Sequence, residues 1–221
     1  MARSSSATLW PRWAESAVLA GLQSMADSLA RARVSPNLIT TIGFVVTCLA
    51  GLAFDKDYVR LAGGLVLAGG ILDVFDGHVA RTNGSASVFG SFYDSTLDRI
   101  SEIVVFLGVL SLYNDTSVPR GDVLMIYAVT LAMAGSLMIS YTRARAEAIG
   151  LDCKVGVMQR PERIVLVGMT SLIFGLAWDG LALKVVFVTM AILTNLTVVQ
   201  RIVWVYQRTR AATPTSTTPN A

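Results

Sequence analysis

Six apolar stretches, each bounded by charged or turn-forming residues, dominate this sequence of 221 residues. Several of them approach the ~20 residues that an α-helix needs to cross a bilayer. Hydrophobic side chains make up 53% of the chain and charged ones only 15%, which excludes an ordinary soluble domain. The pattern predicts an all-α integral membrane protein with six transmembrane helices over Leu38–Phe54, Leu61–Leu72, Ile103–Tyr113, Val123–Tyr141, Ile164–Trp178 and Leu183–Tyr206.

The second and third stretches are short because an acidic segment, residues 73–98, lies between them. If each helix continues through its own aspartates, both reach a spanning length. The sequence therefore predicts that the polar chemistry of the protein lies where these two helices leave the membrane.

The two ends of the chain differ from this apolar centre. Apolar residues recur at helical spacing from Trp10 to Ala32, with charged residues between them, which predicts an amphipathic helix at the membrane interface. Ser35 and Pro36 then end that helix and begin the first span. No cleavable signal peptide is predicted, because the first residues lack an apolar core. The predicted organisation is an interfacial segment over 1–34, a six-helix membrane domain over 35–210 and a disordered Thr/Pro-rich tail over 211–221.

Lys and Arg are unequally divided between the two sides that alternating spans would create. Of the 18 basic residues, all but Lys56, Arg60, Arg120 and Lys184 fall on the side that holds the acidic segment and both termini. The positive-inside rule predicts that this side is cytoplasmic.

Four aspartates form the most informative polar group. Asp73 and Asp76 are three residues apart and Asp94 and Asp98 four apart, so each pair projects from one helical face. Four converging carboxylates at a membrane edge repel one another unless cations compensate them. All-oxygen ligands favour the hard ions Mg²⁺, Mn²⁺ or Ca²⁺ over zinc, and Mg²⁺ with open coordination positions typically binds substrate phosphates. The group predicts a pyrophosphate-bearing substrate.

The residues between the aspartates support a functional interpretation over a structural one. One pair alone is explained equally well by helix capping, but four aspartates with Gly77, Gly90 and Arg81 between two spans are not. The glycines leave room for a helix or ligand, and Arg81 is placed to pair with a phosphate. We interpret His78, the only histidine, as structural, because the aspartates already offer a base.

Residues 73–98 resemble the signature of the CDP-alcohol phosphotransferase family, D-x-x-D-G-x-x-A-R-x8-G-x-x-x-D-x-x-x-D, at every fixed position. The resemblance implies the six-span membrane fold of that family. It also implies a site for two Mg²⁺ ions, with Mn²⁺ as a substitute, held by Asp73, Asp76, Asp94 and Asp98, and it implies that Asp98 also acts as the general base.

The same resemblance implies a binding site for a CDP-lipid donor such as CDP-diacylglycerol. The positions that match it are Gly77, Arg81, Ser87 and Gly90, together with Ser35, Pro36, Asn37 and Leu38 at the head of the first span. No covalent enzyme intermediate is required. The family also implies a homodimer surrounded by membrane lipids, with no role for nucleic acid.

Arginines near the ends of three later spans indicate the acceptor. Arg143, Arg163 and Arg201 lie deeper than Arg208 and Arg210, which we expect to reach toward lipid headgroups. Three such cations suit a phosphate dianion.

This arrangement resembles the branch of the family that makes phosphatidylinositol phosphate or archaetidylinositol phosphate. That branch implies that Arg143, Arg163 and Arg201, with neighbouring Ser140, bind the phosphate of a phosphorylated polyol, 1D-myo-inositol 3-phosphate (L-myo-inositol 1-phosphate). Arg143 departs from the Lys of actinobacterial members. Glu147 and Glu162 either orient the arginines or form ordinary surface ion pairs.

Three other functions stay open at this point. A phosphatidylglycerophosphate synthase would use glycerol 3-phosphate, which also carries a phosphate. A non-catalytic divalent-cation transporter would also contain intramembrane carboxylates, although these cluster at one side. A structural scaffold would leave the aspartates unexplained.

Overall fold

Helices account for all of the regular structure in residues 12–114 and 122–212, the part of the chain that the computed structural model describes. The elements are α1 (Arg12–Arg31), α2 (Pro36–Asp55), α3 (Val59–Thr82), α4 (Val88–Asn114), α5 (Val123–Ala148), α6 (Arg160–Phe174) and α7 (Ala177–Ala212). The all-α prediction is confirmed. The predicted disordered tail falls almost entirely outside the described residues, as do the first residues of the predicted N-terminal helix.

Three of these helices are long and apolar enough to cross a membrane: α2, α5 and residues 177–210 of α7. Helices α3 and α4 continue through their aspartates, as predicted, and reach 24 and 27 residues. Helix α6 has 15 residues and differs from the predicted stretch Ile164–Trp178 at both ends. It begins at Arg160, followed by a proline suited to the first helical turn. It ends before Gly175, whose positive φ of 54° does not continue a right-handed helix.

A left-handed turn separates α6 from the main part of α7. Trp178, Asp179 and Gly180 have φ values of 52°, 56° and 69°. Such angles are unfavourable for the two residues that carry a Cβ. The Lys184 ammonium stabilises the turn, because its Nζ lies 3.2 Å from Asp179 Oδ2 and 3.5 Å from Asp122 Oδ2 at the start of α5.

Helix packing brings the polar ends of several helices together at one end of the bundle. Helix α2 packs against α3 and α4, α3 against α6, and α5 against α4 and α7. Helices α2 and α4 touch through their backbones, because a Cβ on Gly108 would collide with the backbone of Gly51. The start of α2, the end of α3, and the starts of α4 and α6 thereby surround a common polar region.

Helix α1 is attached to α3 beside this region. Asp27 Oδ1 lies 2.7 Å from His78 Nε2, and Asn83 Nδ2 donates to the carbonyl of Ala30 at 3.2 Å. Phe75 and Val79 pack against the small residues of α1. The geometry agrees with a structural role for His78, since its ring is bonded to α1.

Candidate active site

Three carboxylates meet between α3 and α4. Asp73, Asp76 and Asp94 each offer an oxygen that lies within 4.8 Å of the other two. Asp76 is only 6% exposed, and its Oδ2 accepts a hydrogen bond of 2.5 Å from Thr40 Oγ1 of α2. The i, i+3 spacing of the α3 pair places both side chains on the face that meets α4.

The carboxylate oxygens of this cluster are suitable ligands for a divalent cation. Asp94 Oδ1 is buried and has no hydrogen-bond partner within the described residues. Buried polar atoms in proteins are normally satisfied, so this oxygen indicates a ligand position. Carboxylate oxygens from two helices are the ligands that Mg²⁺ and Mn²⁺ prefer.

The fourth aspartate lies one turn further along α4 and is held by an arginine. Arg160 Nη2 lies 2.5 Å from Asp98 Oδ1, and Arg160 Nη1 donates to Asp73 Oδ2 at 2.6 Å. Asp98 lies beside the three-carboxylate cluster and lines a small cavity of about 10 Å³ with Asp73, Asp76 and Arg160. Sequence reasoning assigned no role to Arg160, because its partners lie on helices that are distant in the chain.

A cavity of about 370 Å³ opens beside the aspartates. Its walls include every residue predicted to bind the donor except one, together with two of the aspartates: Ser35, Pro36, Asn37, Gly77, Arg81, Ser87, Gly90, Asp76 and Asp94. The exception is Leu38, which lies outside this lining and is 54% exposed. A helix that turns Asn37 inward directs the next residue about 100° away, which explains why Leu38 does not follow its neighbours.

Two glycines of the motif preserve the shape of this cavity. A Cβ on Gly77 would lie 3.2 Å from Arg81 Nη1, so the glycine leaves space for the guanidinium. A Cβ on Gly90 would lie 3.0 Å from Ser87 Oγ and 3.3 Å from Asn37 Oδ1. Ser87 Oγ also accepts from the Gly90 backbone N–H at 2.9 Å, which caps the start of α4.

The three predicted acceptor arginines differ in burial. Arg163 and Arg201 are each 3% exposed, whereas the Arg143 side chain is 45% exposed and pairs with Glu147 at 2.8 Å. Arg201 donates to the backbone carbonyls of Val155 and Ile139. The segment before α6 connects two of them, because the Val155 carbonyl accepts from Arg201 and the Met158 carbonyl accepts from Arg163. We call Arg143, Arg163 and Arg201 the basic cluster.

Ser140 is half-buried on α5, directly after Ile139, whose carbonyl accepts from Arg201. Of the two glutamates expected either to orient the arginines or to form surface ion pairs, Glu147 pairs with Arg143, and both of these side chains are about half exposed. Glu162 is exposed and makes no ion pair within the described ranges.

The carboxylate that holds Arg163 is one that sequence reasoning missed. Glu102 Oε1 accepts from Arg163 Nε at 2.8 Å and from Ser136 Oγ at 2.7 Å. Glu102 lies one turn beyond Asp98 on α4. A continuation of the i, i+4 spacing from Asp94 through Asp98 was the available signal, although Glu102 directly precedes the apolar stretch Ile103–Tyr113.

The acidic and basic clusters adjoin. A third cavity, of about 50 Å³, is lined by Glu102, Arg160 and Arg163 among mainly apolar residues. Arg160 lines both this cavity and the small acidic one, so its side chain lies between the aspartates and Arg163.

Residues 33–199 match the family model described as CDP-alcohol phosphatidyltransferase, and the chain belongs to that family. Two curated relatives show which members it is similar to. The archaetidylinositol phosphate synthase of Methanothermobacter thermautotrophicus is 34% identical, over 80% of this chain and 86% of the relative. The phosphatidylinositol phosphate synthase of Cutibacterium acnes is also 34% identical, over 81% of this chain and 89% of the relative.

The fold is also similar to solved structures of a phosphatidylinositol phosphate synthase. The phosphatidylinositol phosphate synthase of Mycobacterium tuberculosis with CDP-DAG bound superposes with a TM-score of 0.75 at 28% identity, covering 90% of this chain and 98% of that one. The same enzyme in complex with manganese and citrate gives a TM-score of 0.74 at 28% identity, covering 90% and 93%. The fold and the family make this chain a metal-dependent transferase.

Proposed function

We propose that this enzyme transfers a phosphatidyl or related phospholipid group from a CDP-lipid, such as CDP-diacylglycerol, to 1D-myo-inositol 3-phosphate, with release of CMP. The observation that carries the proposal is that the donor cavity and the buried Arg163 lie on opposite sides of the Arg160 guanidinium. The donor cavity opens on Asp76 and Asp94, and the buried Arg163 lies on the other side of Arg160. The similar synthases of phosphatidylinositol and archaetidylinositol phosphate support this choice of acceptor.

The donor pyrophosphate would lie against the aspartates, with the cytidine part of the donor along Asn37, Gly77 and Arg81. Two Mg²⁺ ions held by Asp73, Asp76, Asp94 and Asp98 would supply positive charge to the pyrophosphate and the departing CMP. Arg81, on the wall of the same cavity, adds a fixed cation for the phosphates.

The acceptor phosphate would bind to Arg143, Arg163 and Arg201, which places the attacking hydroxyl toward Asp98. Asp98 takes the proton of that hydroxyl as its oxygen bonds to the lipid-bearing phosphorus. The bond between that phosphorus and the oxygen of CMP breaks, so the phosphatidyl group passes to the polyol in one step.

The proposal includes the arrangement of the chain in the membrane. Six spans, with α3, α4 and α6 completed by their polar ends, would place the site at the cytoplasmic side, where most basic residues lie. The donor tails would then remain among membrane lipids, and we expect the enzyme to be a homodimer.

The test is CMP release by purified enzyme from CDP-diacylglycerol and Mg²⁺. Four parallel reactions contain 1D-myo-inositol 3-phosphate, glycerol 3-phosphate, free inositol or no acceptor. Of the four reactions, we expect only the one with 1D-myo-inositol 3-phosphate to release CMP, and we expect EDTA to abolish that release. Release with glycerol 3-phosphate alone would instead make the enzyme a phosphatidylglycerophosphate synthase. Preference for free inositol would contradict the phosphate-binding role of the arginines.

A further inference from the structure

Glu102 connects three helices at the boundary between the two charged clusters. Its side chain is 15% exposed, and its Oε1 accepts hydrogen bonds from Ser136 of α5 and Arg163 of α6. Helix α4, which carries Glu102, also carries Asp94 and Asp98. A change at Glu102 therefore acts on the helix that holds the metal ligands and on the arginine expected to bind the acceptor.

The bond from Glu102 determines which edge of Arg163 is free. A guanidinium binds an oxyanion in a bidentate manner either through Nε and Nη2 or through its two Nη atoms. Glu102 occupies Nε, and the carbonyl of Met158 accepts from Nη1 at 3.1 Å. Since Nη1 carries a second N–H, the edge formed by Nη1 and Nη2 remains for an anion.

Burial makes this orientation persistent. The Arg163 side chain is 4% exposed, so rotation away from Glu102 would leave a buried carboxylate and a buried guanidinium without their charged partners. The Ser136 hydroxyl donates to the same carboxylate oxygen, Oε1, at 2.7 Å. The pair differs in this respect from Arg143 and Glu147, whose side chains are about half exposed.

We infer that Glu102 is a positioning residue for acceptor recognition: it fixes Arg163 so that its two Nη atoms face the acceptor phosphate. The inference rests on the proposed function, because it assumes that Arg163 binds the phosphate of the acceptor. It assigns no chemical step to Glu102. The residue acts only through Arg163.

The experiment compares the KM values for inositol phosphate and for CDP-diacylglycerol in Glu102→Ala, Glu102→Gln and the exposed control Glu162→Ala. We expect E102A to raise the KM for inositol phosphate about tenfold or more, the scale of a lost hydrogen bond to a charged group, and to leave the KM for the donor within about twofold. E102Q keeps an oxygen acceptor for Arg163 and Ser136, so its acceptor KM should stay within about threefold of wild type. E162A should change neither KM.

A double-mutant cycle with Arg163→Ala separates positioning from general stability. If Glu102 acts through Arg163, E102A adds little to the acceptor KM in an R163A background. Additive effects, equal rises in both KM values, or a fall in kcat alone would overturn the inference. If E102A does not fold, Glu102→Asp replaces it, because the shorter side chain retracts from Arg163 and should still raise the acceptor KM above that of E102Q.

Measurements on the wild-type enzyme distinguish failure of the proposed function from failure of the role proposed for Glu102. If wild type releases no CMP with inositol phosphate, the proposed function fails. If wild type does so but E102A and E102D both keep its acceptor KM, only the role of Glu102 fails.

Discussion

The acidic and the basic clusters of this enzyme adjoin each other, but they differ in how their charged side chains are stabilised. Two of the aspartates, Asp76 and Asp94, line an open cavity, and one buried oxygen of Asp94 has no partner within the described residues. The deep arginines are buried, and each already donates to protein acceptors: Arg163 to Glu102, and Arg201 to backbone carbonyls. The first cluster is built to receive cations. The second is oriented before any ligand arrives.

The difference indicates how binding energy is divided between the two substrates. Preorganised donors lose little conformational entropy when they bind an anion, which favours selectivity for the acceptor. Converging carboxylates must instead gain their stability from the metal ions they hold. Substitutions in the two clusters should therefore affect different kinetic constants.

The largest effect is expected from Asp98→Asn, which removes the proposed base and a metal ligand. CMP release should fall about 100- to 10 000-fold, the usual contribution of a general base. The thermal melt in detergent should show that the variant is folded. The matched control is Asp152→Asn, an exposed carboxylate paired with Lys154, which should retain activity. An active D98N enzyme would remove the base assignment.

Arg201→Ala tests the basic cluster. Loss of a buried guanidinium that is proposed to bind phosphate should raise the acceptor KM about 10- to 100-fold and leave the donor KM near wild type. Arg208→Ala is the control, because that side chain stacks on Trp204, 4.9 Å from the ring centroid. A rise in the donor KM for R201A would show that the two clusters are not separate sites.

Arg160→Ala tests the boundary between the clusters. Without this guanidinium, Asp73 and Asp98 lose their shared ion-pair partner. The melting temperature in EDTA should fall about 3–6 °C below wild type, and Mg²⁺ should reduce that difference. An equal fall with and without Mg²⁺ would mean that Arg160 does not compensate the metal-binding carboxylates.

The smallest effect is expected from Ser87→Ala, which removes the cap of α4 at the edge of the donor cavity. Loss of an N-cap costs about 1 kcal/mol, or about 2–4 °C in the melt of a chain of this size. Ser87→Thr keeps the hydroxyl and should melt like wild type. If both variants melt alike, the hydroxyl does not stabilise the helix.

The sequence brought together most of the residues that line the cavity beside the aspartates, because that information is local. The spacing of Asp73, Asp76 and Asp94 determines which helical faces they occupy, and the glycine positions follow from the same short motif. Leu38 shows the limit of this reasoning, since a residue adjacent to the cavity wall in the chain lies outside it in space.

The acceptor side depends on contacts between distant helices, which periodicity does not reveal. Arg160 and Asp73 are 87 positions apart, and Arg163 and Glu102 are 61 apart. Glu162, adjacent to Arg163 in the chain, was expected either to orient an arginine or to form a surface ion pair, but its side chain is exposed and makes no ion pair in the part of the chain that the structure describes. The end of α6 was also missed, because a run of apolar residues conceals the conformation of Gly175.

The backbone contact between Gly51 and Gly108 has a genetic consequence. Gly108 lies about 21 Å along α4 from Asp94, and α2 and α4 both supply walls of the donor cavity. A methyl group at Gly51 would collide with the backbone of Val104, and one at Gly108 would collide with the backbone of Gly51. Either collision would force α2 and α4 apart at this contact. A screen for loss-of-function alleles should therefore recover these two positions beside the aspartates, although neither meets a substrate. The close approach of the two helices would therefore restrict the residues allowed at Gly51 and Gly108 as strictly as the chemistry of the site restricts the motif.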